Sequence, residues 1–232
     1  MANAKLYLIP TVIAEGANET IPPQVLSVLP SIKIFLAENV RTARRFLSSL
    51  HIYDSIEDLT FHVLDKDTKN VSGIMDQIKH QNIGVISESG VPGVADPGAL
   101  AVAYAHENNI QVVPLVGPSS LLMAIMASGL NGQQFVFHGY LPIDARQAVE
   151  QLRSMEKESK KKSQTQVFIE TPYRNNQLFE LMLKTLQKTT LLTVAIDITG
   201  KTESIKTQPI AKWQSSKPIW PKEPAVFLFL AA

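Results

Sequence analysis

Short apolar runs alternate with amphipathic stretches along the first half of the chain. Apolar runs closed by proline or glycine predict strands buried on both faces, and apolar residues at three- and four-residue spacing predict helices. Strands are expected at 5–9, 32–37, 83–87 and 111–116, and helices at 24–29, 41–50, 73–80, 99–108 and 119–128. This alternation predicts a mostly parallel, doubly wound sheet with its ligand crevice at the carboxyl ends of the strands.

The second half of the chain has a different character. Strand-like segments are separated there by helices and longer polar links, at 134–139, 166–170, 192–198 and 225–231. We therefore expect two α/β domains, residues 1–117 and 118–232. The polar link 154–164, which carries Lys157, Lys160, Lys161 and Lys162, is predicted to be an exposed, mobile loop.

Composition excludes several kinds of chemistry. None of the 232 residues is cysteine, which excludes disulfides, iron–sulfur clusters and thiol nucleophiles. The histidines are scattered singly and no G-x-S-x-G segment occurs, so neither a metal site nor hydrolase chemistry is predicted. The start of the chain lacks a signal-like region and no apolar run approaches a membrane span, so we expect a cytoplasmic protein without membrane contact.

The charge of the chain is balanced, at a net +1, and gives no general attraction to nucleic acid. An RNA contact would therefore require a local basic patch. Arg41, Arg44 and Arg45 form such a patch and could position an acidic acceptor through its phosphates. They could equally form the solvated face of a helix, and the sequence leaves both alternatives open.

Two glycine-containing turns are the main candidates for ligand binding. The loop 87–98 follows a predicted strand and contains Gly90, Gly93 and Gly98, whose flexibility lets backbone N–H groups approach a ligand. Its spacing fits neither a dinucleotide fingerprint nor a P-loop. The turn 116–120 also follows a strand, so the two could lie side by side at one crevice.

Each candidate segment also has a purely structural interpretation. The loop 87–98 could be a simple turn capped by Asp96 or Ser89. In the segment 170–174, Arg174 could pair with Glu170 or with a phosphate, and we expect the structural ion pair.

Taken in order, segments spread over nearly the whole chain resemble the tetrapyrrole methylase superfamily, in particular its branch that 2′-O-methylates a cytidine of small-subunit ribosomal RNA. The segments are Leu6–Pro10 for the branch's first strand, Ala37–Arg41 for A-E-D-T-R, Ser87–Gly98 for S-D-A-G-T-P-G-I-S-D-P-G, Gly117–Ser120 for G-P-S-A, Ala127–Leu130 for A-S-G-L, Phe137–Pro142 for F-x-G-F-L-P and Glu170–Arg174 for E-S-P-x-R.

This resemblance implies an S-adenosylmethionine-dependent methyltransferase, a homodimer with a mixed C-terminal sheet and the cofactor in the cleft between two α/β domains. The acceptor would be RNA, as in rRNA processing. Cofactor contacts, mainly through backbone groups, are expected at Pro10, Ile13, Glu88, Ser89, Gly90, Val91, Gly93, Ser119, Ser120, Leu121, Phe168 and Ile169. Substrate contacts are expected at Glu38, Arg41, Arg44 and Arg45, and no catalytic residue is assigned, although Glu38 or Asp197 could act as general base.

The chain departs from the branch mainly on the acceptor side. Thr11–Gly16 replaces T-P-I-G-N-L-x-D, and Ile196 and Gly200 stand where the branch has arginine and lysine. These changes favour a divergent paralogue with a different acceptor. Methylation of a tetrapyrrole or another small molecule, and cofactor binding without catalysis, remain the alternatives.

Overall fold

The structure is a computed structural model that describes residues 4–216 and 218–231. The first three residues, which belong to the segment used to predict the absence of an export signal, lie outside the described residues. The chain divides into two compact units, Met1–Ser119 and Ser120–Ala232.

The first unit is built on a five-stranded sheet. Its strands are β1 (Lys5–Ile9), β2 (Ile34–Ala37), β3 (Thr60–Val63), β4 (Ile83–Ile86) and β5 (Gln111–Pro114), and its helices are α1 (Pro23–Val28), α2 (Val40–Ser49), α3 (Ser72–Ile78) and α4 (Gly98–Glu107). All neighbouring strands are parallel, in the order β3-β2-β4-β1-β5.

Apolar side chains project from both faces of this sheet. On β2, Phe35 and Ala37 belong to one buried cluster, whereas Ile34 and Leu36 belong to another. Successive side chains of a strand point to opposite faces, so each cluster covers one face of the sheet. A parallel sheet buried on both sides is the doubly wound arrangement predicted from the apolar runs, and this part of the fold prediction is confirmed.

The second unit carries a mixed sheet. Its elements are α5 (Ser120–Ser128), β6 (Phe135–Tyr140), α6 (Ala145–Lys162), β7 (Thr165–Glu170), α7 (Asn175–Thr185), β8 (Leu191–Ile196), β9 (Ser204–Pro209), α8 (Ile210–Ser216) and β10 (Ala225–Leu230). The order is β6-β7-β10-β8-β9, in which β6 and β7 are parallel and the other neighbours antiparallel. The mixed sheet agrees with the prediction.

The predicted mobile loop 154–164 is wrong, because residues up to Lys162 continue the long helix α6. Asp144 caps this helix by accepting hydrogen bonds from the backbone N–H groups of Arg146 and Gln147 at 3.0 and 2.9 Å. Leu152, Met155 and Ser159 follow at helical spacing and are buried. The lysines Lys157, Lys160, Lys161 and Lys162 are exposed and occupy the solvent side of a regular helix.

Strands β3 and β9 were not predicted. Both are edge strands, and their residues are at most partly buried apart from Gln208. An edge strand needs only one apolar face and obtains its stability from backbone pairing with a neighbour, so its sequence carries a weak apolar pattern. Within the described residues, none of the helices combines the length and apolar character that crossing a bilayer requires.

Candidate functional site

Three loops meet at one edge of the parallel sheet. Strands β4, β1 and β5 are neighbours, so the loops that follow them begin at the same edge. These loops contain the predicted cofactor contacts of the first unit. Residues 10–17 follow β1, residues 87–97 follow β4 and residues 115–119 follow β5.

Backbone hydrogen bonds join the first two loops at Gly90. The carbonyl of Gly90 accepts from the backbone N–H of Thr11 at 2.9 Å and from the hydroxyl of Ser87 at 2.9 Å. Its own N–H donates to the carbonyl of Val12 at 3.4 Å. Gly90 is thereby fixed from both sides, while the neighbouring Glu88 and Ser89 are exposed.

Close approach explains why glycine stands at two positions here. Gly90 has φ +71°, and a Cβ atom on it would lie 3.0 Å from the carbonyl oxygen of Pro118. A Cβ atom on Gly117 would lie 2.1 Å from Cβ of Pro10. The backbone of the loop after β4 therefore packs against the backbone of the loop after β5, and Gly117 packs against the ring of Pro10.

Asp96 closes the loop after β4. Its Oδ1 accepts hydrogen bonds from the backbone N–H groups of Gly93 and Gly98 at 2.8 and 2.7 Å. The structural interpretation of Asp96 as a cap is therefore correct. Ser89 is exposed instead, and its hydroxyl lies 3.5 Å from the carbonyl of Ile13. The loop is thus a capped turn that leaves its tip accessible.

Carboxyl groups give this edge of the sheet a negative electrostatic potential. Glu38 follows β2 and is half buried, and its pKa is raised, first by burial and then by the negative charges of Glu88, Asp96 and Asp65. Burial also raises the pKa of Asp96, against the two hydrogen bonds from Gly93 and Gly98. From the sequence, Asp96 is expected only as a cap, and Asp65, which follows the unpredicted strand β3, only as a solvated loop carboxylate.

The arginine cluster is not a set of three free cations. Arg44 lies 3.7 Å from Glu57 and stacks over the ring of Phe61 at 5.3 Å, and Arg45 lies 3.5 Å from Glu15. Arg41, in the first turn of α2, is exposed. Arg44 and Arg45 therefore lie on a helix face and form local ion pairs. Arg41 remains the candidate for contact with an acidic ligand.

The predicted cofactor contacts of the second unit lie on two elements. Ser120 and Leu121 begin α5, directly after Ser119 of the first unit. Phe168 on β7 is fully buried and stacks on Phe227 at 5.8 Å, so its side chain belongs to the core and only its backbone can face a ligand. Ile169 is partly buried.

Two further predicted groups have structural partners. Arg174 lies 3.2 Å from the buried carboxylate of Glu170 and donates to the carbonyl of Pro142 at 3.1 Å, so the expected ion pair is confirmed. Oδ2 of Asp197 accepts from the N–H and hydroxyl of Thr202 at 2.8 and 2.6 Å. Asp197 thus closes its own loop, which leaves Glu38 as the better candidate for a general base.

Comparison with known proteins connects this architecture to methyltransferases. The chain is 28% identical over 212 residues to ribosomal RNA small subunit methyltransferase I of Buchnera aphidicola subsp. Acyrthosiphon pisum, covering 90% of this chain and 72% of the relative. It is 29% identical over 207 residues to the protein of that name from Vibrio cholerae serotype O1, covering 89% and 69%. No family model matches the chain.

The crystal structure of the methyltransferase CobJ has the same fold. It superposes with a TM-score of 0.61 at 16% identity, covering 99% of this chain and 95% of that structure. This likeness shows that the chain has the two-unit α/β fold of that structure. The sequence relatives and this fold together support the tetrapyrrole methylase superfamily that the sequence motifs indicated.

Proposed function

We propose that this chain is an S-adenosylmethionine-dependent methyltransferase that acts on RNA, at a ribose 2′-oxygen or a related group. The relatives reported above carry the name of a ribosomal RNA methyltransferase and match about nine tenths of this chain, at 90% and 89%. The observation that carries the proposal is the junction at Gly90, where the loop after β4 is bonded to the loop after β1 and its tip stays exposed.

The residues at this edge suit the proposed donor. S-adenosylmethionine combines polar groups that hydrogen-bond to peptide units with a positively charged sulfonium. The exposed residues Glu88 and Ser89 would offer the peptide groups. Carboxyls at Glu38, Glu88 and Asp96 provide a negative potential, which favours a cation. In our proposal Pro10, Ile13 and residues 88–91 hold the donor, with Gly93, Ser119, Ser120, Leu121, Phe168 and Ile169 as further contacts.

The protein itself has little covalent chemistry to perform. When bound, S-adenosylmethionine supplies a methyl group that its sulfonium has already activated, so the protein contributes positioning and exclusion of water. Glu38 would accept the proton of an attacking hydroxyl. Its raised pKa makes its carboxylate a stronger proton acceptor than an ordinary glutamate. Arg41 would hold the phosphate of the acceptor.

One observation indicates that this chain does not methylate the acceptor of the branch it resembles. Gly200 stands where the resembling branch has lysine, and a Cβ atom on it would lie 1.9 Å from Oδ1 of Asp197. A side chain at position 200 would therefore displace the carboxylate of Asp197 from its hydrogen bonds with Thr202. A different RNA acceptor accounts for this departure, and a protein that binds the donor without turnover is the second candidate.

Calorimetric titration with S-adenosylmethionine and S-adenosylhomocysteine tests the donor site. Gly90→Ala should abolish binding, because its Cβ meets the carbonyl of Pro118. Gly129→Ala is the matched control, since Gly129 also has positive φ, at +70°, but no atom within 4 Å of the added Cβ. Absence of donor binding to the unaltered chain would refute the proposal.

Transfer of a labelled methyl group to ribosomal RNA then tests the reaction. Labelling of RNA supports an active enzyme, and donor binding without labelling of any RNA fraction supports the second candidate. We also propose a homodimer in the cytoplasm, and light scattering after size-exclusion chromatography measures the oligomeric state.

A further inference from the structure

Several loops of the second unit gather at one edge of its mixed sheet. The pairs Ala225–Glu170 and Ala225–Ile196 are in register, so the start of β10 lies beside the ends of β7 and β8. The end of parallel β6 joins them, through the pair Tyr140–Ile169. The turn after β7, residues 171–174, and the segment before β10, residues 220–224, therefore lie at the same edge.

An exposed aromatic ring with a cation against it stands at this edge. Tyr173 is 83% exposed, and the ammonium of Lys222 lies 5.7 Å from the centre of its ring. Lys222 is itself exposed and forms no ion pair with the residues that the structure describes. A tyrosine this exposed contributes little to the core, so the fold does not require an aromatic side chain there.

Buried hydrogen bonds hold the two elements that carry Tyr173 and Lys222 together. The fully buried Asn175 donates to the carbonyl of Glu223 at 2.6 Å. Asn176 donates from its side chain to the carbonyl of Trp220 at 2.9 Å and accepts from the N–H of Trp220 at 2.8 Å. These bonds fix the segment before β10 to the start of α7, directly after Tyr173. The backbone segments that carry the ring and the ammonium are therefore held side by side.

The neighbouring side chains extend this surface without cancelling its charge. Arg174 is anchored to Glu170 and to the carbonyl of Pro142, which places Ile143, 84% exposed, beside it. A cavity of about 150 Å³ lined by Ile143 and Arg174 adjoins this point. Lys222 provides the unpaired positive charge, Tyr173 a flat apolar face, and Ile143 an apolar border.

We propose that Tyr173 and Lys222 form a stacking platform for an unpaired nucleotide of the RNA substrate. The base stacks on the ring of Tyr173, and the ammonium of Lys222 binds the adjacent phosphate. Aromatic rings accept bases of any sequence in this way, and nearby cations bind the backbone. The inference rests on the proposed RNA methyltransferase function and assigns to it a contact surface in the second unit.

Fluorescence anisotropy with a labelled single-stranded RNA of about 12 nucleotides tests the platform. Tyr173→Ala should weaken binding about tenfold, whereas Tyr173→Phe keeps the ring and should bind like the unaltered chain. Affinity falls as salt rises, so the slope of log affinity against log salt is negative. Lys222→Ala should reduce the steepness of this slope by about 0.7, the value for one phosphate contact on a single strand. Lys188→Ala is the charge control, because exposed Lys188 precedes β8 and lies at the opposite edge of the sheet.

The outcomes separate this inference from the proposed function. RNA binding and methyl transfer that survive unchanged in Tyr173→Ala would overturn the platform and leave the methyltransferase intact. Equal losses in Tyr173→Ala and Tyr173→Phe would also overturn it, because a structural or hydrogen-bonding role would then explain the effect. A chain that neither binds nor methylates RNA would overturn both. Unchanged donor affinity in Tyr173→Ala, with weakened RNA binding, is the result we expect.

Discussion

Oδ1 of Asp96 accepts a hydrogen bond from the backbone N–H of Gly98 at 2.7 Å, and the same oxygen accepts a second one from Gly93. The other oxygen, Oδ2, is buried and has no hydrogen-bond partner within residues 4–216 and 218–231. One carboxylate oxygen thus ties the start of α4 to the middle of the glycine loop. Asp96 therefore holds the second half of the candidate donor loop, whereas the hydrogen bonds of Gly90 hold its first half.

Removing the Asp96 carboxylate should loosen this loop. We expect Asp96→Ala to lower the free energy of unfolding by about 1–3 kcal/mol, because the partly buried N–H of Gly98 and the exposed N–H of Gly93 lose their acceptor. Affinity for S-adenosylmethionine should fall as well. Asp96→Asn keeps an acceptor oxygen and should retain most of both. Urea denaturation and calorimetric titration measure the two quantities, and an Ala variant with unaltered donor affinity would show that the loop holds its shape without Asp96.

The pH dependence of stability should depend on Glu38. Its pKa in the folded protein lies above the ordinary value of 4.5, so the folded state binds the proton more tightly than the unfolded state. The contribution of Glu38 to stability is therefore greatest at acidic pH and is lost as pH rises through the folded pKa. Glu38→Gln should raise the free energy of unfolding at neutral pH, with a smaller gain near pH ~5.

Urea denaturation of both proteins at the two pH values gives this comparison. Glu57→Gln serves as the control, because Glu57 is exposed and is not among the charges that raise the pKa of Glu38. A stability gain from Glu38→Gln over the unaltered chain that is the same at both pH values would contradict the assigned cause. In the methylation assay, the same variant should lower the rate of transfer more than it lowers donor affinity, because Glu88 and Asp96 still supply negative charge to the donor site.

The buried Glu156 should stabilise the packing of α6. Its Oε1 accepts from the N–H of Gln187 at 2.8 Å and from the hydroxyl of Thr190 at 2.5 Å. Glu156→Ala should lower the free energy of unfolding by about 1–3 kcal/mol, because both donors lose their partner. Glu158→Ala, which removes an exposed ion pair with Lys162, should have little effect. Thermal or urea denaturation distinguishes the two, and equal effects would argue against a specific role for Glu156.

The three arginines should contribute unequally to RNA binding. Arg45 is paired with Glu15, whereas Arg41 is exposed at the start of α2. Arg41→Ala should weaken RNA binding and reduce its salt dependence, and Arg45→Ala should have the smaller effect, because part of its charge is already neutralised. Anisotropy titrations over a range of salt concentrations measure both. A larger effect for Arg45 would show that its ion pair opens when RNA binds.

The local pattern of apolar residues and glycines was sufficient to predict the central strands and the position of the glycine loops. Strands β1, β2 and β4 are buried on both faces, so their sequences had to be apolar runs. The loop after β4 needs glycine where its backbone meets Pro118, and that requirement is visible as Gly90. Edge strands β3 and β9 and the long helix α6 were missed or misjudged, since polar residues dominate their exposed sides.

The sequence by itself determined the two α/β halves, their apolar strands and the glycine turns, because burial and backbone geometry restrict which residues can stand at those positions. The tertiary structure decided which polar groups meet. Pairing of Arg45 with Glu15, closure of the loop by Asp96, and the approach of Lys222 to Tyr173 all depend on how distant segments are brought together. The sequence around a charged or aromatic residue is the same whether or not a distant residue contacts it, so only the fold could reveal these contacts.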